Sequence, residues 1–245
     1  MRVGSLFSGI GGIELGLERA GGFETAWFVE WDAYAQAVLR KHWPAVPVYG
    51  DVRSIDWATV EPVDVLTGGF PCQDASIANP HGEGISGQRT GLWKHYLEAV
   101  RILRPKFVIA ENVPNLLNRG FEEVVSDLAS VGYDAEWDTL RYLVLVEAEG
   151  KRFFMERERL VTIAYPMRQL VEGIREEQPD FTIKEPSQMA GELLERREHE
   201  LPQSPLYGVG DGVYCRVDRT RCVGNAVSPR MSEAIGKAIK EGIGE

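Results

Sequence analysis

The sequence predicts an α/β fold built on a doubly wound, mostly parallel sheet with helices on both faces. Short apolar runs alternate with amphipathic segments through the first two-thirds of the chain, as expected for strands joined by crossover helices. A glycine cluster lies between the first apolar run and the first amphipathic segment, where such folds bring the backbone close to a ligand. The chain has 245 residues, 44% of them hydrophobic, and can therefore bury a substantial core.

The first 70 residues contain four predicted strands and two predicted helices. The first helix ends at Gly21 and Gly22. Asp32 is placed to cap the second helix, and Pro44 ends it. Each strand is an apolar run bounded by glycine, proline or aspartate. The strands span 2–8, 25–32, 46–51 and 63–69, and the helices span 13–21 and 33–43.

The rest of the chain adds three strands and three helices. A fifth apolar run follows an amphipathic helix, and "FEEVVSDLASVG" predicts a helix before the last two strands. A glycine turn then opens a C-terminal helix within 221–243. The other predicted spans are helices 92–103 and 121–132 and strands 107–113, 133–144 and 160–166.

Two segments interrupt this alternation. Residues 73–91 form a polar stretch with four glycines. The stretch is too long for a passive connector, and we expect it to act as a lid. Residues 168–212 have weak periodicity, four prolines and the charged run "ELLERREHE", and they are predicted to form a small insert.

Composition limits the compartment and the kinds of ligand that we expect for this protein. No apolar stretch approaches 18 residues and no apolar leader follows the start, so we expect a soluble protein of the cytoplasm. Cys72, Cys215 and Cys222 cannot all pair, and none has a zinc-like C-x-x-C partner. A reduced setting without a metal is therefore expected. The net charge of −10 argues against a non-specific binder of polyanions.

Acidic residues end the second and third predicted strands. Glu30 and Asp51 lie where the carboxyl ends of parallel strands meet at one sheet edge, beside the turn formed by "LFSGIGG". The turn has the spacing F-x-G-x-G-G, which is weak evidence alone because similar turns occur without ligands. Each of the two acids, taken alone, is also explained by a simple role in capping the end of its strand. The set together indicates a cofactor that contains a nucleoside.

Cys72 and Glu111 follow the fourth and fifth strands at that same edge. A lone cysteine is more often an inert core residue, but Pro71 ends the strand and the polar segment begins at once. A carboxyl group after an apolar strand is a candidate for a raised pKa and for proton donation near neutral pH. Arg157 and Arg159 would share one face of an extended segment. The alternative for this pair is a surface ladder of ion pairs with the neighbouring glutamates.

Taken together and in this order, the motifs resemble those of the DNA (cytosine-5)-methyltransferase family. They are F-x-G-x-G-G, the strand-end Glu and Asp, "GGFPCQ", "ENV", R-x-R and the closing "GNAVSP". The resemblance covers about 1–165 and 213–241. It implies a Rossmann-like, S-adenosylmethionine-dependent methyltransferase fold, with 1–167 and 213–245 as the catalytic domain and 168–212 as a small target-recognition region.

The resemblance implies a binding pocket for S-adenosyl-L-methionine. Glu30 would bind the ribose hydroxyls, Trp31 would lie against the adenine, and Asp51 would contact the adenine amino group. The closing motif would complete the pocket beside Pro71. The full set of implied cofactor-binding residues is Phe7, Ser8, Gly9, Gly11, Gly12, Ile13, Glu30, Trp31, Asp51, Val52, Pro71, Asn225, Ala226 and Val227.

The resemblance also implies the chemistry. Cys72 would add to carbon 6 of a flipped-out cytosine, which makes carbon 5 nucleophilic enough to take the methyl group. Glu111 would hydrogen-bond the ring nitrogen and the amino group, and Arg159 would hold the 2-keto oxygen. Arg157 and Asn112 complete the implied catalytic set, Asn112 by ordering the loop around Glu111. The predicted DNA contacts are Ser76, Arg89, Arg216 and Arg219.

Two features depart from the family pattern. The family usually has glutamine two residues before the first arginine of R-x-R, and here that residue is Met155. The insert 168–212 carries five basic against ten acidic residues, which is unlike a DNA-reading surface. Positive charge gathers instead around Arg216 and Arg219, so we expect these residues to flank the DNA cleft.

Three functions are compatible with these observations. The leading hypothesis is methyl transfer to carbon 5 of cytosine in double-stranded DNA. The alternatives are the same chemistry on tRNA, as in one branch of the fold family, and a non-catalytic DNA- or cofactor-binding role. The intact Cys72, Glu111 and R-x-R favour an enzyme. The expected partners are double-stranded DNA and a cognate restriction enzyme, with no metal and no membrane, and single copies of each motif favour a monomer.

Overall fold

The fold is described from a computed structural model. The structure describes residues 1–71, 90–148, 151–167 and 227–244, with the backbone alone at 90, 143–148 and 151–156. The seven predicted strands and five predicted helices are all present. The strands are β1 (Arg2–Leu6), β2 (Glu24–Val29), β3 (Val48–Tyr49), β4 (Val65–Gly68), β5 (Phe107–Asn112), β6 (Tyr133–Ala148) and β7 (Lys151–Pro166). The helices are α1 (Gly12–Ala20), α2 (Ala33–His42), α3 (Trp93–Leu103), α4 (Phe121–Ser130) and α5 (Pro229–Gly242).

The seven strands form one sheet in the order β3-β2-β1-β4-β5-β7-β6. β1 to β5 pair in parallel, as predicted for strands joined by helices. β7 runs antiparallel between β5 and β6. Only residues 149–150 separate β6 from β7, too few for the crossover that a parallel pair requires. The prediction of a doubly wound, mostly parallel sheet is confirmed.

β6 and β7 are longer than the sequence predicted. Each strand has 16 residues, and the two are paired over their full length. The predicted strands ended at 144 and began at 160, and both of these boundaries were wrong. Backbone hydrogen bonds continue the hairpin through charged residues that break the apolar pattern. Arg157 and Arg159 therefore lie within a strand.

Helices cover both faces of the sheet. On one face, α1 and α5 pack over the strands through side chains that include Leu17 and Ile235. On the other face, α3 and α4 pack through side chains that include Tyr96 and Leu128. The central strands are consequently buried on both sides, which explains why they read as continuous apolar runs. None of the helices in the described ranges is both long and apolar enough to cross a membrane.

The helix termini fall where the sequence placed them. The side chain of Asp32 accepts a hydrogen bond from the backbone N–H of Ala35 at 3.0 Å and caps α2. α2 ends at His42, just before Pro44. α1 is capped at its end by Gly21, in the left-handed region at φ 78°. These caps fix where each helix leaves the sheet edge.

α5 brings the end of the chain back to the beginning. A Cβ atom at Gly16 would overlap the carbonyl oxygen of Pro229, and one at Gly12 would overlap the carbonyl oxygen of Val227. α1 and the start of α5 therefore pack backbone to backbone, which requires glycine at these two positions. Val227, in the closing motif, is held against the start of α1.

Candidate active site

The turn between β1 and α1 is fastened to the end of β2. The backbone N–H and the hydroxyl of Ser8 both donate to the Val29 carbonyl, at 3.1 and 3.2 Å. Phe7 has a positive φ of 52°, which is uncommon for a residue with a side chain, so the chain reverses sharply after β1. No atom of the described residues lies within 4 Å of a Cβ built on Gly9. The turn therefore offers an open backbone surface at the sheet edge.

Glu30 follows β2 and faces that turn. Its two carboxyl oxygens accept backbone N–H bonds from Gly9 and from Asp32, each at 2.7 Å. Burial raises the pKa of Glu30, and the hydrogen bonds from these two backbone amides oppose that rise. Each oxygen keeps a further lone pair that can accept from the hydroxyls of a ligand. The structure thus places Glu30 where the sequence predicted a ribose-binding acid.

An exposed tryptophan stands next to this carboxyl group. Trp31 is 71% exposed, unusually high for so large an apolar side chain. The Arg53 guanidinium lies 5.8 Å from the centre of the Trp31 ring.

Asp51 pairs with Arg53 at 2.6 Å, and Arg53 holds the pKa of Asp51 below its usual range. Val52 is instead buried in the apolar core, so its backbone rather than its side chain is available to a ligand.

Glu111, near the end of β5, and Arg159, in the middle of β7, form a nearly buried ion pair. Arg159 Nε lies 2.6 Å from Glu111 Oε1, and the two side chains are 13% and 11% exposed. Burial raises the pKa of Glu111 to about 7, although Arg159 and Arg157 act to lower it. No donor in the described residues makes an aligned hydrogen bond to Oε1. The carboxyl group can therefore hold a proton near neutral pH, as the sequence predicted.

Asn112 points to the other face of the sheet. Its amide group donates to the carbonyl oxygen of Phe70 at 3.1 Å, and its own oxygen accepts from the backbone N–H of Val113 at 2.8 Å. The expected role was to order the loop around Glu111. The observed contacts instead fasten the chain between β4 and Pro71 to the end of β5, so Asn112 acts on the segment that leads into Cys72.

Arg157 and Arg159 lie on one face of β7, since they are two residues apart on a strand. The described side chains do not form the alternative arrangement, a surface ladder of ion pairs between these arginines and the neighbouring glutamates. Glu158 pairs across the hairpin with Arg141 at 2.8 Å, and Arg159 pairs with Glu111. The two arginines face the carboxyl group of Glu111, and both lower its pKa.

Two residues that the sequence did not single out belong to this site. Gly69 passes directly beside Glu111, because a Cβ there would lie 2.8 Å from Glu111 Oε2. Tyr142 lies opposite Arg157 in the hairpin, and its buried hydroxyl has no hydrogen-bond partner among the described residues. Gly69 stood inside the quoted motif "GGFPCQ", so its close approach was open to inference. Nothing in the sequence around Tyr142 indicates a role in the site, which depends on the register that places it opposite Arg157.

Several predicted residues lie outside the described part of the chain. These are Cys72, Ser76, Arg89, Arg216, Arg219, Asn225 and Ala226. The side chain of Met155 also lies outside it. Pro71, the last described residue before Cys72, is half-buried at the same sheet edge as Glu111. In the described residues, no cluster of three or more His, Cys, Asp or Glu side chains could bind a metal ion.

The geometry separates two chemical regions along one sheet edge. The region at β1, β2 and β3 offers open backbone, a buried carboxylate and an exposed indole, which suits a nucleoside with a ribose. The region at β4, β5 and β7 offers a carboxyl group with a pKa of about 7, beside two guanidinium groups. That second region can donate and accept hydrogen bonds with a planar polar ring while stabilising negative charge.

Comparisons with known proteins agree with this geometry. The family model described as C-5 cytosine-specific DNA methylase matches residues 1–208. A type II methyltransferase of Bacillus subtilis is 42% identical over 148 residues, covering 57% of this chain and 37% of the relative. A type II methyltransferase of Escherichia coli is 36% identical over 210 residues, covering 81% of this chain and 48% of the relative. The chain thus spans less than half the length of both relatives.

A solved structure has a similar fold. It is a crystal structure described as a DNA modification methyltransferase encoded within an E. coli prophage. It is 19% identical, has a TM-score of 0.60, and covers 100% of both chains. The match of the family model to most of the chain agrees with the motifs at the sheet edge. The chain belongs to the C-5 cytosine-specific DNA methylase family.

Proposed function

We propose that this chain transfers a methyl group from S-adenosyl-L-methionine to carbon 5 of cytosine in double-stranded DNA. The observation that carries the proposal is the buried pair of Glu111 and Arg159, with a carboxyl pKa of about 7. The pair lies beside the glycine segment that leads through Pro71 to Cys72. A protonated carboxyl group and a guanidinium side by side suit the polar edge of a cytosine ring.

Cys72 is the proposed nucleophile. Its thiolate adds to carbon 6 of the cytosine, and the electron pair of the 5,6 double bond moves toward carbon 5. Carbon 5 then takes the methyl group. A base removes the proton from carbon 5, the double bond re-forms, and the thiolate leaves. Because carbon 6 is inaccessible within a duplex, the target cytosine must leave the base stack. Residues 73–91 are the proposed lid over the flipped-out cytosine.

Glu111 and Arg159 stabilise the charge that builds up on the ring. When protonated, Glu111 donates to the ring nitrogen with one oxygen while the other accepts from the 4-amino group. Arg159 donates to the 2-keto oxygen. A pKa of about 7 keeps the protonated form populated at neutral pH. Both groups are already desolvated, so they need little rearrangement when the base arrives.

The residues that follow β1, β2 and β3 at the sheet edge fit S-adenosyl-L-methionine. The cofactor supplies an electrophilic methyl group on a sulfonium. Glu30 has lone pairs left for ribose hydroxyls, and Trp31 offers an exposed face to an adenine ring. The backbone around Gly9 is open to a ligand. Phe7, Val227 and Pro71 lie around the same edge and complete the proposed pocket, with Asn225 and Ala226 from the closing motif.

The remaining features of the proposal concern DNA binding and assembly. Residues 168–212 would read the target sequence, and Ser76, Arg89, Arg216 and Arg219 would contact the DNA. We expect a monomer that acts in the cytoplasm, with a cognate restriction enzyme as a functional partner. Charge reversal at Arg216 and Arg219 should weaken DNA binding and reduce its salt dependence. Unchanged affinity and salt slope would show that these arginines lie away from the DNA.

The decisive experiment measures the product. Purified protein is incubated with S-adenosyl-L-methionine and cytosine-unmethylated genomic DNA, with Cys72→Ala as the matched control. The DNA is digested to nucleosides, and 5-methylcytosine is measured by mass spectrometry. We expect 5-methylcytosine with the wild-type chain and none with Cys72→Ala. Bisulfite sequencing of the same DNA then gives the target sequence.

The opposite result separates the alternatives. If no 5-methylcytosine forms although the protein is folded and binds the cofactor by calorimetry, the proposal for DNA fails. The same assay on unmodified tRNA then tests the second hypothesis. Product with tRNA alone would assign the chemistry to RNA, and absence of product with both would leave a binding role.

A further inference from the structure

Tyr142 lies on the same face of the sheet as the proposed base-binding groups. In the register of β6 and β7, Tyr142 is opposite Arg157, and the next pair on that face is Leu140 with Arg159. Directly opposed residues of an antiparallel pair project to the same side. Glu111 also projects to this side, because it is opposite Val161, two residues beyond Arg159. The phenol, the two guanidinium groups and the carboxyl group therefore share one surface.

The hydroxyl of Tyr142 is buried and has no hydrogen-bond partner among the described residues. The backbone amide of Ser228 is near enough to lower the pKa of Tyr142, but it does not reach hydrogen-bonding geometry. Burial is the largest influence and raises that pKa, with Arg159, Glu111 and Arg157 as the charged groups around it. The phenol is therefore neutral at neutral pH and keeps its proton available for donation.

A second buried oxygen on the same surface has an ion-pair contact but no aligned hydrogen bond from the described residues. Glu111 Oε1 contacts Arg159 but accepts no aligned hydrogen bond from the described residues. Its other oxygen, Oε2, faces Gly69 and the segment that leads to Cys72. The carboxyl group thus has one oxygen toward β7 and one toward β4. A buried hydroxyl without a partner, beside a carboxyl oxygen that can accept a further hydrogen bond, is costly unless a bound state pairs it.

We propose that Tyr142 is a positioning residue of the base-binding site: when the target base is bound, its hydroxyl donates a hydrogen bond to Glu111 Oε1. This contact uses one lone pair of Oε1 and leaves the other for the 4-amino group, while Oε2 is turned toward the ring nitrogen of the base. The inference rests on the proposed function. It assigns a task to a side chain whose packing alone a phenylalanine would serve equally well.

The test is Tyr142→Phe, which removes only the hydroxyl. The free protein loses no hydrogen bond, so the melting temperature should be unchanged or slightly higher. The value of kcat should fall about tenfold, since one hydrogen bond made in the bound state is lost, while the KM for S-adenosyl-L-methionine stays the same. Loss of a donor to the carboxylate raises the pKa of Glu111. The alkaline limb of the kcat profile should therefore move to higher pH.

Tyr165→Phe is the matched control on the same hairpin. Its hydroxyl donates to Glu136 at 2.7 Å, away from the arginine pair, so this variant should change stability and leave the pH profile in place. Tyr142→Phe with wild-type kcat and pH profile would overturn the inference while wild-type product formation upholds the proposed function. A fall in kcat matched by a fall in melting temperature would also overturn it, in favour of a structural role. A wild-type chain that makes no 5-methylcytosine would overturn both.

Discussion

Gly69 and Glu111 are in contact in a way that only glycine allows. A Cβ atom at position 69 would lie 2.8 Å from Glu111 Oε2, closer than real side-chain carbons approach. Carboxyl groups can usually move aside, but this one is buried and paired with Arg159. The glycine therefore sets how close the carboxyl group lies to the segment that leads into Cys72.

Gly69→Ala should impair catalysis more than folding. The added methyl group pushes Glu111 Oε2 away from the base, and a displacement of about 1 Å in a catalytic group lowers kcat by roughly 10- to 100-fold. The measurement is kcat for 5-methylcytosine formation together with the melting temperature. Gly50→Ala is the matched control, because among the described residues a Cβ there meets only Gln36, at an ordinary 3.9 Å. Full activity of Gly69→Ala would contradict the positioning role.

The pH dependence of the reaction should report Glu111. Burial raises the pKa of this carboxyl group to about 7, against the opposing effect of Arg159 and Arg157. A group that must donate a proton to the ring nitrogen is active below its pKa, so kcat should fall as the pH rises above about 7. Glu111→Gln should abolish this limb and reduce kcat by about 10²- to 10³-fold. If the fall of kcat at high pH persists in Glu111→Gln, the titration of another group causes it.

The same shift has a consequence for stability. The folded-state pKa of Glu111 lies above its ordinary value of 4.5, so the folded state binds this proton more tightly than the unfolded state. The free energy of unfolding therefore decreases as the pH rises from about 4.5 through about 7. Glu111→Gln should lack this contribution. Thermal unfolding of both forms at pH 5 and pH 8 measures it, and equal pH dependence in the two forms would contradict it.

Trp31 should contribute to cofactor affinity and little to stability. Its side chain is 71% exposed, so Trp31→Ala removes few buried contacts. Loss of a stacking platform for an adenine lowers affinity by about 1–3 kcal/mol, which is about 5- to 150-fold. Titration calorimetry with S-adenosyl-L-methionine measures the effect. Trp137 is the matched control, since it is 49% exposed and packs against Phe121 instead. Equal affinities for the two alanine variants would place the adenine elsewhere.

The sequence predicted those parts of the site that depend on where a strand ends. Glu30 and Glu111 could be placed because each follows an apolar run, and the carboxyl ends of parallel strands meet at one edge. Asp32 could be placed as a cap because its position before an amphipathic run has a local physical cause. In each case the determining interaction lies within a few residues along the chain.

Features that depend on register or on the choice of face were not predictable. Tyr142 meets Arg157 only because the hairpin pairs them, and that pairing depends on strands that extended beyond their apolar cores. Asn112 follows Glu111 directly, so it necessarily points to the opposite face, yet its partner Phe70 could not be identified without coordinates. The family resemblance implies Val52 in the cofactor pocket without saying which of its atoms would take part, and the structure shows that its side chain lies in the core.

Glu14 provides the last prediction, because it is a fully buried acid in the first turn of α1. Oε1 accepts a hydrogen bond from the Thr67 hydroxyl at 2.6 Å, and Oε2 has no partner among the described residues. Burial raises the pKa of Glu14, even though the first turn of a helix ordinarily favours a negative charge. The folded state therefore holds this proton above the ordinary pKa of 4.5, and stability is lost as the pH rises through the folded-state pKa.

Glu14→Gln should raise the melting temperature at pH 8 by a few degrees, since each kcal/mol shifts it by about 2–4 °C in a chain of this size. At pH 5 the two forms should differ less, because the raised pKa of Glu14 means that a larger fraction of the carboxyl groups is protonated there than at pH 8. Glu233→Gln is the control, a half-buried acid at the surface paired with Lys237, and it should change little at either pH. A lower melting temperature for Glu14→Gln at both pH values would mean that the ionised carboxylate stabilises the fold.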